Sequence, residues 1–469
     1  MSFYSYFAHM DTTAAPAPAS SAPPHPPRAM PVMSARSLLG VLPELQADPL
    51  RAMERATFEY GPMARMPIPN VDAFMLGSPA LAEHVLVTNA RNYSKQTRGY
   101  DMLRVVMGNG LVTSEGTFWK RQRRIAQPAF HRERLARFGE VFVRSADAMV
   151  DGWTPGVTFD AAQELMRCTL SVVGQTLLST DVTGTADTVG PALTTVLEHV
   201  IHRTLQPLSL PEWVPTPANL GFKRALAQLD AVVLGIIEGR RRGGEQHDDL
   251  LGMLMSMKDP ETGESMDDLQ LRDEVMTIFL AGHETTANTL SWTFSLLGRF
   301  PQVERALVAE LREVLGTRSP TMEDLPRLGV LQRVVKESLR LYPPVWSLGR
   351  RVVEDEVVDG FALPAGALVF LSPWVLHRLP EFWADPEAFD PDRWLVEDPR
   401  RGHGAYLPFS MGQRKCIGDG FALAEAQLIL ATVLRRAHLT LVPGQRFEPE
   451  PVITLRPRHG VRVTMQPRP

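Results

Sequence analysis

The longest helical pattern in the sequence runs from about Asp267 to Phe300 and ends before Pro301, which cannot continue a helix. At ~1.5 Å per residue, a helix of this length crosses most of a domain. Its middle reads FLAGHETTANTL, where Gly282 costs a helix interior about 1 kcal/mol relative to alanine and the paired threonines lower the propensity further. A helix that tolerates these residues at its centre is expected to have something lying against it.

The composition of the 469 residues excludes several classes of protein. With 44% hydrophobic and 22% charged residues, the chain resembles an ordinary globular protein, and its net charge of -4 gives no basic stripe for nucleic acid. The N-terminus lacks the regions of a signal peptide, and no segment approaches ~20 consecutive apolar residues, so no membrane span is predicted. Two cysteines cannot build a disulfide framework, which indicates a reducing compartment such as the cytoplasm.

The chain is predicted to form one folded unit behind a disordered tail. Residues 11–32 are rich in Ala, Pro and Ser, so residues 1–33 are predicted to be disordered and the folded part to start near Ser34. No linker or internal repeat follows, which favours a single domain over 34–469. Helical spacing dominates from about Glu115 to Leu315, and strand-like runs lie nearer the ends. A mainly α fold of the α+β type, with a small β region, is expected.

Several motifs have more than one interpretation when taken alone. The pair His283-Glu284 does not begin a zinc-binding HExxH motif, because position 287 is alanine. The same segment is either a locally satisfied polar helix face or a group that delivers protons to a ligand. Glu337 and Arg340 lie three apart on a mostly apolar helix, which favours a buried pair over a solvated one. Trp119 and Arg123 either converge on one anion or merely pack together.

Cys416 is either a small buried hydrophobe, as most free cysteines are, or a ligand. Arg414 and Lys415 precede it and a helical run follows, and both features favour the thiolate. The nearest histidine in sequence, His403, has no recognisable protease context, and the further ligands of a zinc or iron–sulfur site are absent. Haem requires only one protein thiolate, because the porphyrin supplies four nitrogens.

Five motifs, in order, resemble those of the cytochrome P-450 haem-thiolate monooxygenases, and together they cover the chain from about residue 50 to its end. FSMGQRKCIG resembles the cysteine-ligand loop of that family, AGHETT its oxygen-activating helix, and ESLR its buried Glu/Arg pair. PDRW resembles the segment whose arginine joins that pair, although Asp392 and Trp394 stand where Glu and Phe are commoner. WKRQR resembles the helix that binds the haem propionates.

The resemblance implies a triangular helical body with haem b between the long helix and the cysteine loop. Cys416 would be the axial iron ligand, with Phe409 against the porphyrin and Gly412 and Gly418 letting backbone amides approach the sulfur. Thr285 and Glu284 would organise the proton relay to dioxygen, with Gly282 making room for it. The residues that match the propionate-binding positions of the family are Trp119, Arg123, Arg350 and Arg414.

The activity implied by the resemblance is insertion of one oxygen atom into a hydrophobic small molecule by a soluble, monomeric enzyme of the bacterial type. Because the chain ends at Pro469, electrons from NAD(P)H are expected to arrive through a separate ferredoxin and its reductase, or a flavodoxin-type donor. The alternatives are a peroxide-driven or rearranging enzyme and a non-catalytic haem protein. The mostly apolar segments that would form the pocket favour a fatty acid, terpenoid, steroid or polyketide-like substrate. These segments are 99–111, 193–218, the helix face near Phe279, 345–348 and 453–455.

Overall fold

The long helix predicted from the sequence is the central element of the fold. The structure is a computed structural model that describes residues 27–179, 186–206, 210–243, 249–256, 258–259, 262–401 and 404–468. The helix spans Asp268–Arg299, and its first turn is capped by the Asp267 carboxylate, which accepts the N–H of Gln270 at 2.8 Å. Pro301 is the first residue of the next helix. The predicted bounds are therefore confirmed, and the helix continues through Gly282 without a break.

The helices of the described residues follow the sequence prediction of a helical body. They are α1 (Leu42–Ala47), α2 (Pro49–Tyr60), α3 (Pro79–Glu83), α4 (Arg98–Met107), α5 (Gly116–Ala126), α6 (Arg132–Asp151), α7 (Ala161–Leu177), α8 (Ala186–Leu205), α9 (Pro217–Gly243), α10 (Leu250–Ser256), α11 (Asp268–Arg299), α12 (Pro301–Leu315), α13 (Gly329–Leu341), α14 (Pro373–Leu376) and α15 (Asp419–Arg436).

The strands are short and lie toward the two ends of the chain, as expected. They are β1 (Met63–Ile68), β2 (Val71–Leu76), β3 (Tyr93–Ser94), β4 (Thr158–Asp160), β5 (Leu348–Val352), β6 (Glu356–Val358), β7 (Phe361–Leu363), β8 (Leu368–Leu371), β9 (Ala437–Leu441), β10 (Pro449–Pro451), β11 (Leu455–Pro457) and β12 (Arg462–Pro467).

The largest sheet joins strands from both halves of the chain in the order β1-β2-β8-β5-β3. The pair β2–β8 is parallel, with Phe74 opposite Val369, and the other neighbours are antiparallel. A second sheet has the order β4-β12-β9, and two hairpins, β6–β7 and β10–β11, complete the β region. The predicted mainly α fold with a small β region is confirmed.

The folded part begins earlier than Ser34, which corrects the predicted boundary. The N–H of Met33 donates to the carbonyl of Arg65 at 3.0 Å, and the N–H of Arg65 donates to the carbonyl of Pro31 at 2.8 Å. Further upstream, the N–H of Arg28 donates to the carbonyl of Gly360 at 2.7 Å. The extended backbone there satisfies the open edge of β1, a pairing that composition does not reveal. The rest of the predicted tail, residues 1–26, lies outside the described residues, as does His403.

Two apolar clusters meet along α11. Its N-terminal half, from Leu271 to Leu280, packs in a cluster with α4 and α7 to α10, whereas its C-terminal half, from Ala287 to Leu297, packs with α12, α13 and α15. The polar segment 281–286 lies between the two clusters. The packing therefore places the least apolar turn of the helix at the centre of the molecule.

Candidate active site

One face of the central turn of α11 is open. Ala281 is exposed and Gly282 and Thr285 are half-buried, whereas the other residues from 273 to 297 are buried. These three positions lie at spacings of one and four residues, which places them on one side of a helix. The hydroxyl of Thr285 donates to the carbonyl of Ala281 at 2.8 Å. The lone pairs of Thr285 Oγ1 are therefore left to accept a hydrogen bond from a group in the open space.

Gly282 has a packing role in addition to the predicted one. A Cβ at this position would lie 3.0 Å from Cγ2 of Val173 on α7, which is a tight contact. On the same neighbouring helix, the hydroxyl of Thr169 donates to the carbonyl of His283 at 2.9 Å. The glycine therefore allows α7 to pack closely against the central turn.

Glu284 lies on a different side of α11 from Thr285. Its buried carboxylate accepts the hydroxyl of Thr454 at 2.7 Å, and Asn288 donates to the same threonine at 3.0 Å. Burial raises the pKa of Glu284, opposed by the Thr454 hydrogen bond and by the positive charge of Arg456. Adjacent residues of a helix do not face the same way. The structure thus does not bring the Glu284 carboxylate to the accessible face where it was expected.

The cysteine loop folds back on itself just before α15. The N–H of Cys416 donates to the carbonyl of Phe409 at 2.9 Å. Gly412 has a φ of 67°, and a Cβ there would lie 2.0 Å from the carbonyl oxygen of Leu86. Gly412 therefore also allows close packing against the turn His84–Thr88, in addition to the role predicted for it. The backbone N–H of Gly418 lowers the pKa of the Cys416 thiol, which is the direction that its expected role requires.

Cys416 is exposed, whereas Cys168, the other cysteine, is buried. Burial nevertheless raises the pKa of Cys416, and it outweighs the opposing effects of the Gly418 N–H, Arg123 and Lys415. Arg123 and Lys415 thus lower the pKa of Cys416, in the direction expected from the sequence, but they do not outweigh burial. A metal cation on the sulfur would favour the thiolate.

A cluster of buried cations lies near this loop. Arg350 and Lys95 are only 3% and 8% exposed. The pKa of Lys95 is well below its ordinary value because of burial first, and then because of Arg414 and Arg350. Burial also lowers the pKa of Arg414 to about 10. Glu115, which accepts from Arg414 at 2.7 Å, is the acid that partly neutralises this charge.

The cation cluster fits an anionic group that the protein binds. Atom Nη1 of Arg414 is buried without a hydrogen-bond partner, and its guanidinium carbon lies 4.1 Å from the centre of the Trp119 ring. Arg123 lies beside the loop and donates to the carbonyl of Lys415 at 2.7 Å. Buried charges of one sign need a counter-charge, and the two carboxylates of a haem are suitable. The residues present therefore fit haem, and Cys416 would be the ligand of its iron.

Sequence reasoning missed Lys95 and did not separate Arg350 from Arg351. Lys95 donates to the carbonyl of Val112 at 2.9 Å, and no local pattern around it signals burial. Arg350 is buried beside Tyr100, whose hydroxyl lies 3.3 Å from Nη1, whereas the exposed Arg351 donates to the carbonyl of Gln96. The structure thus assigns Arg350, as expected, to the cation cluster.

Glu337 binds two arginines in the core, as the sequence predicted. Arg340 donates to both of its oxygens at 2.8 and 3.0 Å, and Arg393 donates at 2.8 Å. The side chains of Glu337 and Arg340 are 0% exposed. Trp394, which departs from the family pattern, donates its indole N–H to Glu337 at 2.9 Å. The change from phenylalanine thus adds a hydrogen bond.

His377 connects this buried pair to the cysteine loop and was not predicted. Its Nδ1 bonds the carbonyl of Arg340 at 3.0 Å, and its Nε2 accepts the N–H of Leu407 at 2.8 Å. Burial lowers its pKa to about 3, so the ring is neutral and Nδ1 carries the proton. Leu407 lies two residues before Phe409. His377 thereby fixes the start of the loop that carries Cys416.

The predicted pocket walls are only partly open. Phe279 is 1% exposed, and Leu193 and Leu348 are likewise buried, so these three side chains pack into the apolar clusters. Val345 is 37% exposed and Ile453 is half-buried. Residues 207–209 of the predicted lid lie outside the described residues.

The part of the chain that the structure describes contains no group of three or more His, Cys, Asp or Glu side chains placed to hold a metal ion. None of its helices is long and apolar enough to cross a membrane. Neither result bears on haem, which needs one protein ligand.

A surface cleft of about 480 Å³ lies beside the cysteine loop. It is formed mainly by α5 and the turn that follows it, together with one residue of the loop. Its lining residues are Trp119, Lys120, Arg123, Arg124, Gln127, Pro128, His131 and Gln413. The charged residues among them are basic.

Comparison with known proteins identifies the family. Residues 24–464 match the family model described as Cytochrome P450. Cyclooctat-9-en-7-ol 5-monooxygenase of Streptomyces melanosporofaciens is 38% identical, over 92% of this chain and 93% of its own. Pentalenene oxygenase of Streptomyces avermitilis is 36% identical, over 91% and 94%. The crystal structure of the cytochrome P450DA haem domain has a TM-score of 0.86 at 29% identity and covers 95% of this chain and 99% of that chain.

The geometry and the comparisons agree. An accessible cysteine, a cluster of buried cations and an open turn of the central helix fit a bound haem, and the match to the family model spans nearly the whole chain. Family membership implies haem as the cofactor, and the relatives named as monooxygenase and oxygenase indicate an oxidoreductase. The chain belongs to the cytochrome P450 family and is a monooxygenase.

Proposed function

We propose that this enzyme inserts one oxygen atom from dioxygen into an apolar, terpenoid-like molecule. The observation that carries the proposal is the open turn at Ala281, Gly282 and Thr285, the polar interruption between two apolar clusters of α11. Among the expected substrate classes, a terpenoid is favoured over a fatty acid, steroid or polyketide. Relatives that match over nine-tenths of the chain are named for cyclooctat-9-en-7-ol and pentalenene.

Each part of the site has a distinct task in this proposal. Cys416 would ligate the haem iron, and Arg350, Arg414, Lys95, Arg123 and Trp119 would hold its carboxylates. Haem, when bound, supplies the iron chemistry that activates dioxygen.

Thr285 is the residue we assign to proton delivery. Its hydroxyl donates to the carbonyl of Ala281, so the lone pairs of Oγ1 face the open space. There Oγ1 accepts a hydrogen bond from a proton donor and fixes the position of that donor. Glu284 could take part in proton delivery only if its carboxyl group broke its hydrogen bond with Thr454, which is 2.7 Å long.

Electrons are proposed to come from NAD(P)H through a separate ferredoxin and its reductase, or a flavodoxin-type donor. The support is the cleft beside the cysteine loop, where the positive charge of Lys120 suits an acidic partner. We further propose that the enzyme is a monomer and acts in the cytoplasm.

The test is the substitution Thr285→Ala. The variant is expected to retain haem and to consume NAD(P)H with its partners, but to release hydrogen peroxide in place of oxidised product. Losing one positioned proton-transfer group costs about 10²–10⁴-fold in the step that it serves. Pentalenene and cyclooctat-9-en-7-ol are the first substrates to test, with product and peroxide measured per NAD(P)H consumed.

Thr286→Ala is the matched control, because this neighbouring hydroxyl is buried and bonds the carbonyl of Gly282 at 3.3 Å. It should couple electrons to product as the wild type does. Full coupling in Thr285→Ala would refute the proton-delivery role. Turnover of the wild type on hydrogen peroxide alone, without NAD(P)H, would favour the peroxide-driven alternative.

A further inference from the structure

The loop between α4 and α5, residues 108–115, is attached to α11 by two carboxylates that lie about two turns before the open face. The N–H of Asn109 donates to Oδ2 of Asp273 at 2.7 Å. The N–H of Leu111 donates to Oε2 of Glu274 at 3.0 Å. Two backbone N–H groups of the loop thus have their hydrogen-bond acceptors on side chains of α11.

Two glycines bring the loop into very close contact with that helix. Gly108 has a φ of 56°, and a Cβ there would lie 2.0 Å from the carboxylate of Asp273. A Cβ at Gly110 would lie 2.1 Å from Oγ1 of Thr277. Such distances exclude any larger residue without a shift of the backbone. The contact is therefore built into the loop sequence.

The same loop supports the cation cluster from its other side. Lys95 donates to the carbonyl of Val112 at 2.9 Å, and Arg414 donates to the carbonyl of Ser114 at 2.5 Å. A displacement of the loop from α11 would therefore disturb the groups that face the haem carboxylates. The loop links α11 mechanically to the cofactor site.

Glu274 is the unusual member of this attachment. It is fully buried, and its Oε1 has no hydrogen-bond partner. Burial raises its pKa to about 8, the Leu111 N–H lowers it, and the charge of Asp273 raises it further. Asp273 is itself paired with Arg272, which also binds Asp230 of α9. The loop segment 108–114 reads GNGLVTS and contributes no ionisable side chain.

We propose that Glu274 is a proton-controlled positioning residue: its neutral form holds residues 108–114 against α11, and its ionisation favours release of the loop. An ionised carboxyl in this position is short of solvation and lies beside another acid. Opening of the loop would give it water. Proton binding and loop position are therefore linked, and each shifts the other.

The direction of the pH dependence follows from this linkage. In the closed form the pKa of Glu274 is about 8, and in a hydrated open form it approaches the ordinary value of 4.5. Between these values the closed form holds a proton that the open form has lost. The opening constant therefore rises with pH, by up to about tenfold per unit from pH 4.5 to 8, and is constant above.

The experiment is hydrogen–deuterium exchange of the haem-loaded protein from pH 6 to 9, resolved for the segment 108–114 and corrected for the intrinsic pH dependence of exchange. Exchange measures local opening directly. In the wild type the opening constant should rise about 50-fold between pH 6 and 8. In Glu274→Gln it should be independent of pH, because the amide keeps an acceptor for Leu111 and carries no charge.

Glu264→Gln is the control, because this exposed acid pairs with Arg121 and should leave the profile unchanged. Asp273→Asn removes the neighbouring negative charge and so lowers the pKa of Glu274 in the closed form. The opening constant of this variant should therefore stop rising at a lower pH than that of the wild type. A wild-type opening constant that changes less than about threefold between pH 6 and 8 would overturn the proposal, as would a Glu274→Gln variant with the wild-type slope. Exchange requires neither substrate nor redox partners, so its outcome is separate from that of the proposed function.

Discussion

Removal of Glu337 should destabilise the fold severely. The carboxylate is the counter-charge of Arg340 and Arg393, whose side chains are 0% and 5% exposed. It also accepts the indole N–H of Trp394 at 2.9 Å and the N–H of Asp390 at 3.2 Å. Glu337→Ala leaves all of these donors without their acceptor, whereas Glu337→Gln removes the charge and keeps an acceptor oxygen.

The magnitude follows from the burial of the two guanidiniums. Breaking a buried ion pair by removing one partner costs about 3–5 kcal/mol, because the other charge stays in the interior. Each donor left unsatisfied costs a further ~1–3 kcal/mol where no water reaches it. Because domains are stable by about 5–15 kcal/mol, Glu337→Ala should remove much of the stability. Glu337→Gln should lose less, because the donors to its oxygen remain bonded.

Arg340 also holds the backbone together, so its loss should be at least as costly. It donates to the carbonyls of His377, Pro386 and Ala388 at 2.7 to 3.0 Å. Arg340→Ala therefore leaves three carbonyls without this donor, and Glu337 keeps only Arg393 as its charged partner.

Urea unfolding followed by far-UV circular dichroism measures these effects, and the haem content of the purified protein is a second readout. Glu140→Ala is the matched control: the pair Glu140–Arg144 is exposed and 3.8 Å apart, so its loss should cost within about 0.5 kcal/mol. A Glu337→Ala protein that is soluble, fully haem-loaded and within about 1 kcal/mol of the wild type would contradict the argument, since such a value is that of a surface pair.

Three further predictions concern the cofactor site. Cys416→His should lose the absorption band of the reduced, carbon-monoxide-bound protein that is typical of thiolate-ligated haem, and a wild type with an imidazole-type spectrum would disprove the assignment. Lys95→Met should speed haem dissociation by tenfold or more without lowering the urea stability of the haem-free protein, since the buried cations repel one another; unchanged haem retention would count against the cluster. His377 is neutral in the fold with a pKa of about 3 but is charged when unfolded below 6.5, so stability should fall by up to about 1.4 kcal/mol per unit as the pH drops through that window. His377→Asn should reduce that slope, which acid titration of unfolding would show.

The sequence by itself determined the features that depend on short-range pattern. The bounds of α11 follow from the Asp267 cap and from Pro301, and both are local signals. Glu337 and Arg340 share a helix face because they lie three residues apart. The motif around Cys416 likewise pointed to the proposed ligand loop without reference to any distant residue.

The tertiary structure decided everything that depends on the meeting of distant segments. Lys95 joins Arg414, and Gly412 packs on the carbonyl of Leu86, across more than 300 residues of chain. Glu284 turned out to bind Thr454, 170 positions away. Local periodicity fixes the angle between neighbouring side chains but not which side of a helix its partners cover. That side is set by where α7 and the β10–β11 hairpin pack on α11, which leaves Thr285 accessible and Glu284 buried.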